Sequence, residues 1–295
     1  MKNIGAIEAG GTKMVLAIGN EHGEIKERKE LPTTTPSNCI PLMIDWFRRY
    51  DIDALGIGSF GPTCVDPNDS KFGTILETPK APWRHFGFRQ AFQEALGIPV
   101  GYDTDVNAAC LGESLYGAAM GCDQVIYITV GTGIGVGVTI DGHLLHGMLH
   151  PEAGHIAISP MQADPGKSVC PYHQNCLEGL ASGPSIERRW GEPAFNLSDQ
   201  AEVWELESSY LAEGIANFIL CYSPKKIVLG GGVMQQAQLF PLIRKKVLHI
   251  LANYIVTPEL KDINNYIVKP NCNGDQGILG AIELGRRSLN NLKHV

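Results

Sequence analysis

Val125-Ile126-Tyr127-Ile128-Thr129-Val130-Gly131-Thr132-Gly133-Ile134-Gly135-Val136-Gly137-Val138-Thr139-Ile140 reads as strand, glycine turn and strand, and a second turn at Asp141-Gly142 leads into a further short strand near Leu145. β-Branched and aromatic residues fill the extended runs, and glycine supplies the backbone freedom that a tight turn between strands demands. The start of the chain has the same parts in the same order. Ile4 to Ala9 is a strand, Gly10-Gly11-Thr12 a turn, Met14 to Ile18 a second strand, and a turn at Asn20 to Gly23 precedes a third strand from Ile25. Two such meanders roughly 120 residues apart point to two lobes of one design rather than a short-period solenoid. The length agrees, since 295 residues exceeds the roughly 100–200 of a single domain.

Helix and strand signals alternate around each meander. Ile40, Ile44 and Phe47 share a helical face in a stretch from about Ser37 to Arg49, and a strand Ala54 to Ile57 then ends in Gly58-Ser59-Phe60-Gly61-Pro62. Phe86 to Leu96 and Val106 to Tyr116 read as helices flanking the strand Val100 to Tyr102. After the second meander, an irregular stretch from Pro151 to Gly183 is rich in Pro, Cys, His and Gly, and such length without periodicity points to function. A helix carrying Leu211, Ile215, Phe218 and Ile219 stops before Pro224, Ile227 to Leu229 runs into Gly230-Gly231-Gly232, and a last helix spans about Gly277 to Leu292. The predicted class is α/β, with largely parallel sheets covered by helices and ligand groups gathered at strand ends. The expected divisions are an N-terminal lobe over 1–115, a C-terminal lobe over 116–279, and a helix over 280–295 that packs back on the N-terminal lobe.

Hydrophobic residues make up 44% and charged residues 19%, a globular composition that excludes a disordered acidic chain. A net charge of −7 offers no general attraction to nucleic acid or anionic membrane, so an anionic ligand needs a local site. The charge-free run from Gln124 to Ile140 is too short and too rich in glycine to span a bilayer. Met1-Lys2-Asn3-Ile4 opens no signal-peptide pattern, so the eight cysteines are read as free thiols or metal ligands and the expected compartment is the cytoplasm. Glycine, at 34 residues, stands well above the roughly 7% of average usage.

Three glycine clusters lie at strand ends: Gly10-Gly11-Thr12-Lys13, Gly131-Thr132-Gly133-Ile134-Gly135 and Gly230-Gly231-Gly232. Glycine there lets consecutive N–H groups converge on an anion, with a threonine hydroxyl and a lysine charge beside them, and phosphate is the natural guest. Neither a Walker pattern nor a dinucleotide fingerprint fits, because the first two clusters lead into extended sequence instead of a helix. Asp103-Thr104-Asp105 stands where a strand meets a helix; any of the three can cap the helix, and Asp105 is the candidate to accept a proton from a substrate hydroxyl. His155, Cys170, His173 and Cys176 form a nitrogen and sulfur set suited to a closed tetrahedral zinc site. Cys39, Cys64, Cys110, Cys122, Cys221 and Cys272 show no such grouping and are expected in the core.

Taken as an ordered set, Glu8-Ala9-Gly10-Gly11-Thr12-Lys13, Thr104-Asp105-Val106-Asn107-Ala108, Val130 to Gly135, Glu152-Ala153-Gly154-His155, the Cys/His loop ending Cys176-Leu177-Glu178, and Gly230 to Val233 resemble the ROK sugar kinases over nearly the whole chain. Ser59-Phe60-Gly61-Pro62 and Thr78-Pro79-Lys80-Ala81-Pro82-Trp83 look like the bacterial zinc-containing fructokinases within that family. The resemblance implies a two-lobed actin-like ATPase (ribonuclease H-like) fold with nucleotide and sugar in the cleft between lobes. It implies that Gly10, Gly11, Thr12, Lys13, Gly131, Thr132 and Gly133 hold ATP phosphates, with Pro184, Gly230, Gly231 and Gly232 on the nucleotide side. Asp105 would be the catalytic base, and Thr104, Asn107, Gly61, Pro62, Glu152, His155 and Glu178 would contact the sugar. Structural Zn²⁺ at His155, Cys170, His173 and Cys176, Mg²⁺ with ATP, and a homodimer are also implied.

Three positions depart from the wider family. Glu8 replaces a usual Asp, which bears on how Mg²⁺ is held. His173 stands where a third cysteine is common. Thr104 replaces an Asn of glucose-directed relatives, removing an amide able to donate and accept for a pyranose hydroxyl. Fructose is the expected substrate, phosphorylated at the 6-hydroxyl, ahead of glucose, mannose or an N-acetylhexosamine and of a noncatalytic sugar-sensing role. Repressor relatives carry an N-terminal helix-turn-helix, for which a first strand near Ile4 leaves no room, so no nucleic-acid partner is expected.

Overall fold

The alternating apolar runs fold as their periods predict. The computed structural model describes residues 2–162, 164 and 166–291. In chain order it begins β1 (Asn3–Ala9), β2 (Lys13–Asn20), β3 (Ile25–Pro32), α1 (Pro36–Phe47), β4 (Ala54–Ser59), α2 (Phe88–Leu96), β5 (Val100–Thr104) and α3 (Asp105–Tyr116). The second meander is β6 (Val125–Val130), β7 (Ile134–Ile140) and β8 (His143–Leu144). Helices α4 (Leu177–Ala181), α5 (Gly183–Trp190) and α6 (Ala201–Tyr222), strand β9 (Lys226–Gly230), helices α7 (Leu239–Leu251), α8 (Pro258–Lys261) and α9 (Ile263–Tyr266), strand β10 (Ile267–Val268) and helix α10 (Gln276–Asn291) complete it. The stretch expected to be irregular over Pro151 to Gly183 contains α4 and a helical turn at Ala153–His155. These elements are too short to show a helical period in the sequence.

The two sheets have orders β3-β2-β1-β4-β5 and β10-β9-β6-β7-β8, which is one topology written in opposite directions. In each, the first strand pairs antiparallel with the second and parallel with the fourth: β1 with β2 and β4, β6 with β7 and β9. The repeat suspected from the two glycine turns is therefore a repeat of architecture. The chain divides into two compact units, the described residues of Met1–Gly121, His143–Pro151 and Asn271–Val295 forming unit 1, and those of Cys122–Gly142 and Glu152–Pro270 forming unit 2. Glu113 on α3 explains one limit of unit 1, since its carboxylate accepts the backbone N–H groups of Asn271 and Cys272 and so ties the chain back before α10.

In unit 1 the sheet is mixed rather than largely parallel as expected, β1–β2 and β2–β3 being antiparallel, and β1, β2 and β4 are buried on both faces while β3 is largely exposed at the edge. Alternation along β1 and β2 sends Ile7, Ala9, Met14 and Leu16 towards Phe47, Trp83, Phe88 and Phe92, and Ile4, Ala6, Val15 and Ala17 towards Ile278, Ala281 and Ile282 of α10. α10 also packs on α3 and β4. That packing is backbone against backbone. A Cβ on Gly56 would strike the Ala281 carbonyl, one on Gly101 the Leu284 carbonyl, and one on Gly280 the Ala108 carbonyl. In unit 2, α6 and α7 pack together, burying Leu211, Ile215 and Phe218 of α6 and Ile243 and Val247 of α7.

Of the ungrouped cysteines, Cys39, Cys64, Cys110 and Cys272 are buried as expected, whereas Cys122 is half-buried and Cys221 is exposed. Cys221 falls in the last turn of α6 beyond the buried stripe, which corrects the expectation of a core position. Among the described residues, no helix is long and apolar enough to cross a membrane.

Candidate active site

The first hairpin turn closes on itself: Gly10 N–H donates to Lys13 O at 2.9 Å, and the Thr33 hydroxyl donates to Gly10 O at 2.8 Å. Gly11, Thr12 and Lys13 are left exposed at the strand end, the placement a phosphate-binding turn needs. Lys13 Nζ sits 3.1 Å from Glu30 Oε1 in an exposed pair, which costs little to exchange for another anion. Glu8, inside β1, lies beneath the turn and against Gly277, where a Cβ would come within 2.5 Å of its Cδ. Burial raises its pKa to about 6, opposed by the Arg28 and Lys13 charges.

At the same end of the sheet, where Ala9, Ser59 and Thr104 lie level on neighbouring parallel strands, β5 runs directly into α3, and the helix begins one residue earlier than expected, at Asp105 itself. Thr104 is the cap: its Oγ1 accepts Asn107 N–H at 3.1 Å, and the residue is 3% exposed. This leaves the two neighbouring carboxylates for other work. Asp105 is half-buried at the helix start, with Oδ1 accepting Val106 N–H at 2.8 Å. Asp103 is buried and accepts from Thr104 N–H, Asn107 Nδ2 and His146 Nε2, at 2.8, 2.6 and 2.8 Å. Gly61 and Pro62, half-buried beyond the end of β4, are joined by a cis peptide bond, and the next residue, Thr63, shares a 2.7 Å hydrogen bond with the Tyr102 hydroxyl.

Unit 2 gathers its glycine clusters at the ends of β6 and β9. Gly131 N–H donates to Gly133 O at 2.9 Å to close the turn, and Gly183 N–H donates to Gly131 O at 2.8 Å, which seats Pro184 and the start of α5 beside it. Gly232 N lies 3.9 Å from where a Gly131 Cβ would stand. Gly231 has φ +93°, and a side chain there would run into the Val130 backbone. Gly131, Gly133, Pro184, Gly231 and Gly232, expected on the nucleotide side, are thus neighbours. Gly230, the last residue of β9, is buried against Tyr127, and Thr132 is exposed at the turn tip.

The Glu178 carboxylate accepts Ile134 N–H at 2.9 Å, so a residue of α4 is fixed to the start of β7. Its other oxygen is 3.8 Å from His155 Nε2. Glu152 opens the helical turn that carries His155, and burial of its carboxyl, then the Glu178 charge, push its pKa up to about 7. The ligand atoms of His155, Cys170, His173 and Cys176 lie within 4.8 Å of one another. Cys170 Sγ is 3.8 Å from His155 Nδ1 and 3.6 Å from His173 Nδ1. Metal bonds of ~2.3 Å to sulfur and ~2.0–2.1 Å to nitrogen at tetrahedral angles separate such atoms by roughly 3.5 Å, so the four residues fit one ion. Cys176 also caps α4, and Ala157 and Cys176 form a β-bridge, so local structure holds the set together.

Within unit 1 the structure joins Asp105 with Thr104 and Asn107; within unit 2 it joins Glu178 and His155 with Cys170, His173 and Cys176. From the sequence His146 has no assigned role, and Asp103 is only a possible cap. Adjacency to Asp105 was the one available signal for Asp103; His146, far away along the chain, carried none.

The ROK family model matches residues 4–288. A fructokinase of Pediococcus pentosaceus is 42% identical over 98% of this chain and 99% of its own length. A protein of Bacillus subtilis (strain 168), which bears fructokinase as a provisional name, is 50% identical over 97% of this chain and 96% of its own. Among solved structures, a ROK hexokinase from Thermus thermophilus superposes with a TM-score of 0.81 at 25% identity, covering 98% of this chain and 99% of that one.

Proposed function

Because this chain belongs to the ROK family, we propose that it is a fructokinase, transferring the γ-phosphoryl group of ATP to the 6-hydroxyl of D-fructose to give fructose 6-phosphate and ADP. The observation that carries the choice of sugar is the 42% identity to a fructokinase across almost all of both chains. The chain has the α/β actin-like fold of the ROK sugar kinases, which supports the same reading.

Asp105 accepts the proton of the sugar hydroxyl as it attacks the γ-phosphorus in line. Its place at the start of α3 suits this, since the helix N-terminus favours the carboxylate and Thr104 has taken over the cap. Thr104, Asn107, Gly61, Pro62, Glu152, His155 and Glu178 are the residues that the resemblance to ROK kinases assigns to orienting the sugar. Gly11 to Lys13 and Thr132 to Gly133 supply N–H and hydroxyl donors to the phosphates, Gly10 and Gly131 close the two turns and let the backbone approach, and Pro184 and Gly230 to Gly232 flank the nucleotide. Mg²⁺ bound with ATP would neutralise phosphate charge, and Glu8, beneath the first phosphate turn, is the carboxylate placed to help hold it. His155, Cys170, His173 and Cys176 would hold a Zn²⁺ ion, which would keep the loop rigid and so keep His155 and Glu178 aimed at the sugar. We further infer a cytoplasmic homodimer with no nucleic-acid partner.

The decisive experiment incubates the purified protein with ATP, Mg²⁺ and, separately, fructose, glucose, mannose and N-acetylmannosamine, and identifies each product by mass and enzymatic coupling. Fructose 6-phosphate forming with the highest kcat/KM is the expected result. Turnover of another hexose with fructose inert would overturn the choice of sugar, and no turnover of any would overturn the kinase.

A further inference from the structure

We propose that Asp103 and His146 are a positioning pair that holds the Asp105-bearing turn in its reactive conformation, a role that rests on the reading of Asp105 as the base. Asp103 lies on β5 two residues before Asp105 and is 2% exposed. A carboxylate so deeply buried costs several kcal/mol unless its oxygens are fully engaged. Oδ1 accepts both Thr104 N–H and Asn107 Nδ2, the backbone of the cap and the side chain one turn into α3. Oδ2 accepts His146 Nε2 at 2.8 Å, the single ion-pair partner that Asp103 has among the described residues. The Asp103 hydrogen bond holds the His146 imidazole above its ordinary pKa against the opposing effect of burial.

The geometry clamps the turn from both ends. Asp103 spans positions 104 and 107, Thr104 Oγ1 closes the same span onto Asn107 N–H, and Asp105 is fixed between them. His146 is a third of the way exposed on its side chain and lines two cavities of about 420 and 330 Å³ in unit 1, so it exchanges protons with solvent while Asp103 does not. The groups near His146 are Asp103 on β5 and His150 in its own segment, with Asp66, Asp69 and Lys71 on the wall of the larger cavity and Arg89 and Arg287 on that of the smaller. Without the imidazole, Asp103 Oδ2 loses its donor. The carboxylate then turns towards water and releases Thr104 and Asn107.

Two readouts on wild type, His146→Ala, His146→Gln and Asp103→Asn test this. Deuterium uptake at the amides of residues 101–110 is followed without substrate, and kcat and KM are measured with MgATP and whichever sugar the wild type turns over. His146→Ala is expected to speed exchange at Thr104 and Asn107 at least 10-fold and to lower kcat at least 10-fold, with sugar KM within 3-fold. Gln, whose amide can still donate to Asp103, is expected to recover most of both. In the Asp103→Asn background, adding His146→Ala is expected to cost less than a further 2-fold in kcat. Unchanged exchange in His146→Ala overturns the clamp, whatever sugar the enzyme takes. Faster exchange with unaltered kcat, or equal loss in the Ala and Gln variants, overturns its part in catalysis. Should His146→Ala not fold, Asp103→Asn is read alone, and wild-type exchange and kcat in it overturn the proposal. A wild type inert towards fructose refutes the choice of sugar alone, since the exchange comparison does not depend on it.

Discussion

Asp105→Asn keeps the shape of the α3 turn and its hydrogen bond to Val106 N–H but removes the proton acceptor. Phosphoryl transfer is expected to fall by at least the 10²–10⁴-fold typical of a general base, while ATP binding by calorimetry stays within a few-fold; near-wild-type turnover would remove Asp105 from its role. A second residue has a pH signature. Glu207 on α6 is 1% exposed and neither carboxyl oxygen has a hydrogen-bond partner among the described residues, so burial raises its pKa well above the usual carboxylate range. The folded state therefore keeps a proton that the unfolded state gives up near pH 4.5, and this group's contribution to stability declines as pH rises above that value. Glu207→Met, similar in shape and free of the polar cost, is expected to raise unfolding stability at pH 8 by about 1–3 kcal/mol and by less at pH 5, as measured in urea. A gain equal at both pH values would show that Glu207 is not protonated in the fold.

At the scale of elements, the glycine seam between α10 and its neighbours is the most fragile feature. Gly280 of α10 meets the Ala108 carbonyl of α3, and Gly56 of β4 meets the Ala281 carbonyl, with backbone on both sides of each contact. No side-chain rotation relieves an added methyl there. Gly280→Ala and Gly56→Ala are each expected to destabilise the protein by about 3 kcal/mol or more, whereas Gly142→Ala, which meets nothing within 4 Å but has φ +73°, pays only for its backbone. Thermal unfolding of the three variants checks the ranking. The Cys/His loop makes the complementary prediction. About one zinc per chain is expected by elemental analysis, and Cys170→Ser or prolonged chelation is expected to lower metal content and raise sugar KM together, because His155 and Glu178 depend on that loop for their aim. A zinc-free protein with undiminished activity would refute the structural role.

For the whole molecule, the net charge of −7 and the proposed anionic ligand are reconciled locally, since exposed backbone at Gly11 to Lys13 and at Thr132 lies at strand ends. Ligands that bind only the folded chain stabilise it, by about 2.7 kcal/mol at 100 times Kd. Fructose is therefore expected to raise Tm by more than glucose at equal concentration, and equal shifts would count against a fructose site. The sequence by itself determined the α/β class, the duplicated meander and the glycine turns, and it singled out Asp105 and the set His155, Cys170, His173 and Cys176 as candidates. Each of these is written in local spacing: a period, a turn, or a motif a few residues long. Only the tertiary structure decided that Thr104 rather than Asp103 caps α3, that Gly131, Pro184 and Gly232 are neighbours, and that His146 answers the buried charge of Asp103. It also divided the excess of glycine between ligand turns and the α10 seam. Those outcomes depend on which groups burial brings together across long separations in the chain, and on the cost of leaving a buried charge or carbonyl without room or partner, neither of which a local pattern records.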